Sequence, residues 1–213
     1  MKEFAERYLK LLTEDFASIN LTRIDDFDSF YHKQILDSVD PLNQSKIFKD
    51  SIRESGVLVD VGFGGGFPIL PLAKVLPEIK FFGFEARAKK ASVVTQIAER
   101  LEIKNAKLLH QRLEDVFFDR PVVVTFKAVG KIHEFLDMIN TDRKIKVFFY
   151  KGPNYKELEN LPLVLRRWEQ IEELTYNVDG TEGRVLIGFQ NKDVPRGTNK
   201  NKILFSSLLL NEK

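Results

Sequence analysis

The chain has 213 residues, 43% of them hydrophobic and 30% charged, with a formal charge of +2 and no cysteine. That balance excludes wholesale disorder, and the lack of thiols excludes disulfides, thiol catalysis and thiolate zinc sites. No apolar run approaches the roughly 18 residues of a membrane-spanning helix, and His32, His110 and His133 are scattered, so a cytoplasmic protein without membrane or metal is expected.

Residues 1–50 carry seven Lys/Arg against ten Asp/Glu, whereas residues 87–127 carry nine against five. The stretch from Lys192 to Lys202 holds four positive residues and a single acid, Asp193. Such asymmetry creates a local positive field suited to a polyanion, although lysines on a solvated helix face give the same count.

Phe4, Tyr8, Leu11, Leu12 and Phe16 recur at helical spacing, as do Phe27, Phe30, Tyr31, Gln34, Ile35 and Ser38. Between them Ile19-Asn20-Leu21-Thr22 breaks the pattern with residues that favour local hydrogen bonds. Residues 1–50 are therefore expected to form a helical extension packed on a core. From Gly56 the period changes, and Val57-Leu58-Val59-Asp60-Val61 reads as a strand buried on both faces. A glycine loop follows, then an apolar stretch, Phe67 to Leu76, in which a helix begins. Strands are expected at Lys80–Glu85, Lys107–His110, Pro121–Phe126 and Lys146–Tyr150, with helices at Ala88–Leu101 and Ile132–Ile139. Two short strand-like runs, near Trp168–Tyr176 and Arg184–Phe189, close the pattern. Alternating strands and helices imply right-handed crossovers and a doubly wound, mostly parallel sheet, here a Rossmann-like α/β domain over residues 51–213 with a basic loop toward its C-terminus.

The informative segment is Asp60-Val61-Gly62-Phe63-Gly64-Gly65-Gly66-Phe67-Pro68, where the first parallel strand turns toward its helix. Ligands bind at such places because strand C-termini and helix N-termini converge there. No Gly-Lys-Ser/Thr follows, so the loop is not a P-loop. A dinucleotide fingerprint requires a sixth-position glycine, and counting from Gly62 that position is Phe67, whose bulk obstructs helix–strand packing. The alternative is S-adenosylmethionine, whose sites show an acid followed by alternating glycines, as do Asp60, Gly62, Gly64 and Gly66. A carboxylate there suits its cationic amino group and sulfonium. Glu85, ending the second strand, is placed for ribose hydroxyls with either cofactor. Leu113 and Glu114 are placed for an adenine face and amino group. Phe63 and Phe67 are candidates for stacking on cofactor or base, with core packing the competing role.

At this point the motifs resemble one family. Asn20-Leu21-Thr22, Ile35-Leu36-Asp37-Ser38, the loop Asp60–Pro68, Arg112-Leu113-Glu114, Lys151-Gly152 and Pro195-Arg196-Gly197 occur in the order seen in the RsmG (GidB) family. The resemblance implies a class I S-adenosylmethionine-dependent methyltransferase fold and methylation of N7 of a guanosine in 16S ribosomal RNA. It implies a cofactor site of Asp60, Gly62, Gly64, Gly66, Phe67, Glu85, Leu113, Glu114 and Lys127. Asn20, Lys151 and Arg196 would face the RNA, either free or in an assembled small subunit, and the protein would act as a monomer. Gln34 stands where the family usually has histidine, Lys127 where it has arginine, and Ile69 or Leu70 where its loop has a fourth glycine. Lysine keeps the charge but not the planar fork.

Guanine N7 has a lone pair and no proton, so direct displacement at the methyl carbon requires no general base and no catalytic residue is assigned. Rate would come from in-line positioning in a dry site. Because the product base gains positive charge, Lys127 is assigned to the cofactor carboxylate or an RNA phosphate. Competing readings are a non-enzymatic ribosome-assembly factor and a small-molecule methyltransferase.

Overall fold

The computed structural model describes residues 1–193 and 201–210. Helix α1 (Lys2–Lys10) runs into a wide π turn at Leu11–Asp15, then a 3-10 turn at Ala17–Ile19 ending on Asn20 in the left-handed region. Helix α2 (Phe27–Phe30) is capped by Asp26 and passes through a second wide turn, Tyr31–Leu36, into α3 (Asp37–Gln44). Ser45 caps α4 (Lys46–Ser55), so this helix crosses residue 50, and Gly56 ends it at φ +66°. An exposed side chain would be strained in that left-handed conformation, whereas glycine is not.

Next come β1 (Val57–Val61), α5 (Ile69–Val75), β2 (Lys80–Glu85), α6 (Ala88–Arg100) and β3 (Ala106–His110). After a 3-10 turn at Leu113–Asp115 follow β4 (Val116–Phe118), β5 (Val123–Lys127), α7 (Ile132–Met138), β6 (Asn140–Thr141) and β7 (Lys146–Lys151). The short α8 (Tyr155–Leu158) and α9 (Leu161–Val164) lead to β8 (Trp168–Val178) and β9 (Thr181–Asn191). β10 (Ile203–Leu204) and α10 (Phe205–Leu210) complete the described chain.

The main sheet has seven strands in the order β3-β2-β1-β5-β7-β9-β8. Its first five are parallel, whereas β9 pairs antiparallel with both β7 and β8. The last two runs are thus a hairpin of two 11-residue strands rather than the short strands expected. β8 runs only two residues past the expected Trp168–Tyr176, whereas β9 extends the expected Arg184–Phe189 at both ends, through the polar residues Thr181-Glu182-Gly183 and Gln190-Asn191 that mask its length. A small second sheet, β10-β4-β6, lies outside the expected pattern because its strands have only two or three residues.

Strand pleating divides the interior. Leu58, Phe81, Val123 and Phe148 face one core, shared with Tyr8, Phe30, Ile35, Phe48 and Ile52 of the N-terminal helices. Val57, Val59, Phe82, Phe84, Phe126 and Phe149 face another, closed by Ile132, Tyr155, Val164 and Phe205. The N-terminal helices therefore supply one cover of the sheet. The chain leaves β1 in one direction toward β2 and β3, then returns on its other side as β5, so the switch point lies at the carboxyl ends of β1 and β5.

Candidate active site

The glycine loop is shaped by positive φ angles at Gly62 (73°), Gly64 (53°) and Gly66 (94°). The Gly62 N–H donates to the Phe84 carbonyl, 2.7 Å away, tying the loop to β2. Gly66 faces inward, where an added Cβ would collide with the Tyr8 hydroxyl oxygen. That hydroxyl donates to the Gly65 carbonyl, so α1 supports the loop from beneath. The Phe67 ring stacks on Tyr8 at 5.0 Å and meets Phe30 edge-on. Phe63 fills the space left by Gly83 on β2 and is almost completely buried.

Of these residues, Gly62, Phe63, Gly64, Gly65 and Phe67 line a cleft of about 440 Å³, together with Glu85 and Lys127. Glu85 is preorganised: Oε2 accepts the Gly64 N–H at 3.1 Å and Oε1 the Arg87 N–H at 3.0 Å. Both oxygens retain lone pairs for further donors. A second cleft of about 1000 Å³ adjoins it beyond the ends of β5 and β7, with Lys131, Tyr150, Lys151, Glu159 and Arg184 in its walls. Gln34, Lys127 and Ala128 belong to both clefts.

Lys127 is the best-held group on this shared wall. Its ammonium lies 3.1 Å from Asp37 Oδ2, donates to Gln34 Oε1 at 3.1 Å and sits over the Phe67 ring. Burial pulls its pKa down, and the Asp37 carboxylate opposes that shift. Asp37, itself buried, also accepts from the Tyr176 hydroxyl at 3.0 Å and from Arg184 Nη2 at 3.3 Å. Neither Asp37 nor Arg184 was singled out as a site residue from sequence, although Asp37 stands inside the motif Ile35-Leu36-Asp37-Ser38. That motif was the available signal.

Asp60 is placed differently from the expectation of a carboxylate gripping a ligand. It is fully buried under the loop and absent from both cleft walls. Oδ1 accepts from the Thr125 hydroxyl at 2.8 Å, while Oδ2 has no hydrogen-bond partner. Burial pushes its pKa to about 8 against the opposing effects of Thr125 and Lys127. Leu113 lies in the second core, and Glu114 pairs with Arg112 at 3.4 Å; neither lines the smaller cleft. The intervening 3-10 turn points Leu113 inward, a direction that chain position alone does not reveal.

Asn20 ends the 3-10 turn with φ 51°, and its neighbour Leu21 reaches the smaller cleft in its place. Lys151 does line the larger cleft, but it is already paired with buried Glu159 at 2.7 Å and donates to the Gly130 carbonyl. Glu159 also accepts the Ile132 N–H, clamping the start of α7. Arg196 lies outside the described residues. Thus Gly62, Gly64, Phe67, Glu85 and Lys127 come together around one cleft, whereas Asp60 and Gly66 support it from behind.

A family model described as rRNA small subunit methyltransferase G matches residues 1–181. The chain belongs to that family. It is 33% identical over 211 residues to a "Ribosomal RNA small subunit methyltransferase G" of Pseudothermotoga lettingae, covering 93% of this chain and 88% of that protein. A protein of the same name from Flavobacterium psychrophilum is 38% identical over 168 residues, covering 78% of this chain and 74% of that protein. Among solved structures, a SAM-dependent methyltransferase from Aquifex aeolicus aligns with a TM-score of 0.53 at 17% identity, over 73% of this chain and 92% of that one. A mutant of MtNAS in complex with S-adenosylmethionine aligns with a TM-score of 0.57 at 10% identity, over 89% of this chain and 70% of that one. These likenesses show the class I methyltransferase fold expected from the sequence.

The smaller cleft suits the family's cofactor at two of its ends. Its volume falls within the ~300–1,000 Å³ of small-molecule sites. Glu85 offers a two-oxygen acceptor for a ribose diol, and Lys127 offers a cation for a carboxylate. No helix among the described residues is long and apolar enough to cross a membrane.

Proposed function

We propose that this methyltransferase uses S-adenosylmethionine to methylate N7 of a guanosine in 16S ribosomal RNA. The observation that supports this most directly is the junction of the two clefts: a cofactor-sized pocket shares Gln34, Lys127 and Ala128 with a larger one. The larger cleft has room for a nucleotide withdrawn from its helix, and N7 in paired RNA lies in a groove too narrow for side chains.

S-adenosylmethionine supplies an electrophilic methyl group on a sulfonium. Glu85 accepts the ribose hydroxyls, held in place by the amides of Gly64 and Arg87. Lys127 meets the carboxylate end or a phosphate of the RNA from the shared wall. Guanine N7 has no proton to lose, so the chain acts by orientation and water exclusion rather than as a base. Phe67, held by Tyr8 and Phe30, contributes a dry side to the smaller cleft. Lys151 is a candidate phosphate contact once drawn from Glu159, while Asn20 and Arg196 remain proposed RNA contacts. The protein is proposed to work as a monomer in the cytoplasm on small-subunit ribosomal RNA, either free or in the assembled small subunit.

The test is transfer of a radiolabelled methyl group to small subunits from cells lacking this protein, and to free 16S RNA. Borohydride–aniline cleavage, which is specific to N7-methylguanosine, should then map label to one guanosine. Cofactor binding without label in either RNA would favour a binding factor. Label on metabolites alone would favour a small-molecule methyltransferase.

A further inference from the structure

Asp37 is an acidic side chain serving two cations of the larger cleft, one of which, Lys127, also lines the smaller. It begins α3, directly after the wide turn that carries Gln34. Lys127 reaches it from β5, Arg184 from β9 and Tyr176 from β8. Oδ2 is shared by the Lys127 ammonium and Arg184 Nη2, while Oδ1 faces Arg184 Nε at 3.2 Å and accepts from Tyr176. Lys127 lines both clefts, and Arg184 lines the larger one.

We propose that Asp37 is a positioning residue for methyl transfer, fixing Lys127 between cofactor and target while holding Arg184 at the wall of the target cleft. The inference rests on the methyltransferase reading above, because it assumes that one cleft takes the cofactor and the other the nucleotide.

The physical basis is the cost of burying an ammonium. A cation in a dry wall keeps its proton only if a fixed anion offsets lost hydration. The groups facing Lys127 are Asp37 and Gln34 from the N-terminal helices, Asp60 from β1, Arg184 from β9 and the Phe67 ring. Asp60 also faces Lys127, but burial raises its pKa to about 8, so Asp37, in direct contact with the ammonium, is the principal compensating anion. Around Asp37 itself stand Tyr150, Tyr176 and, on the same helix, Asp40. The tyrosines stay protonated, since burial raises both, and Asp40 is likewise raised by burial and by Asp37. Without Asp37, Lys127 would face Arg184 with only the buried Asp60 opposite it, and would release its proton at lower pH.

The experiment compares full-length wild type, Asp37→Asn and Asp37→Asn/Lys127→Arg in methyl-transfer assays from about pH 6 to pH 9, with cofactor affinity measured alongside. Wild-type transfer establishes the underlying reading separately; its absence would remove that reading rather than the role of Asp37. Given wild-type activity, Asp37→Asn should keep most turnover at the acidic end and lose about tenfold per pH unit above a new ionisation. The double variant should lose that ionisation, because a guanidinium does not titrate in this range. An Asp37→Asn profile parallel to wild type, at any level of activity, would overturn the proposal. If that variant does not fold, Asp37→Glu takes its place. Moving the carboxylate by one methylene should lower kcat at least fivefold with a wild-type profile shape and unfolding midpoint, whereas unchanged kcat would refute the idea.

Discussion

The sharpest prediction concerns the proton on Asp60. In the folded chain its pKa stands at about 8, whereas an unfolded chain releases the proton near 3.8. Between those values the native state holds a proton that the unfolded state has lost, so stability must fall as pH rises through this window. The stabilisation is fully present below about 3.8 and gone above about 8. At pH 7 the difference amounts to roughly 4 kcal/mol relative to pH 4, an upper estimate because a real interior relaxes around charge. Asp60→Asn retains the size of the side chain and an oxygen for the Thr125 hydroxyl, but it cannot ionise. Urea unfolding of both proteins at a series of pH values isolates the contribution, since other titrating groups are common to the two. The wild type should lose several kcal/mol more than the variant from pH 4 to pH 7. Parallel curves would refute the argument and show that Asp60 is ionised where it lies. The outcome also bears on the site, because a carboxyl that is neutral at pH 7 cannot serve as the fixed anion for a cofactor's ammonium.

Gly66→Ala should destabilise by about 2–4 kcal/mol in thermal or urea unfolding, since φ is +94° and the new Cβ would strike the Tyr8 hydroxyl. Phe63→Ala should cost about 3–5 kcal/mol, as expected for a buried ring packed over Gly83; a small stability change with a large loss of cofactor affinity would instead mark it as a ligand contact. Glu85→Gln should weaken cofactor binding by about 10–100-fold in calorimetry while leaving the fold intact, through loss of charge-assisted hydrogen bonds. Lys127→Met should weaken cofactor binding, RNA binding or turnover by at least about tenfold, and wild-type values for all three would remove it from the site.

What could be read from the chain depended on how local the determining contacts were. Val57–Val61 and Lys80–Glu85 declared themselves because strands buried on both faces are written as nearly unbroken apolar runs. The turn at Gly62–Gly66 was equally visible, since left-handed geometry leaves its mark in the residue type. Depth was harder to read. Asp60 belongs to the same motif as Gly64, yet one is sealed beneath the loop and the other lines the cleft. Asp37 is legible in the sequence only as part of a signature because its partners, Lys127, Tyr176 and Arg184, are brought to it by sheet order rather than by sequence proximity. Leu113 and Glu114 followed the right strand, but a single 3-10 turn decided which way they pointed.

The hairpin of β8 and β9 sets a schedule for biosynthesis. β9 is inserted between β7 and β8, and Arg184 from β9 and Tyr176 from β8 reach back to Asp37. A growing polypeptide that has not yet delivered residue 184 has already made Asp37 and Lys127 but lacks the strand that closes around them. The final shape of the larger cleft's wall therefore waits for β9 to be translated, and a truncated product ending before β8 should be inert even though its glycine turn is complete.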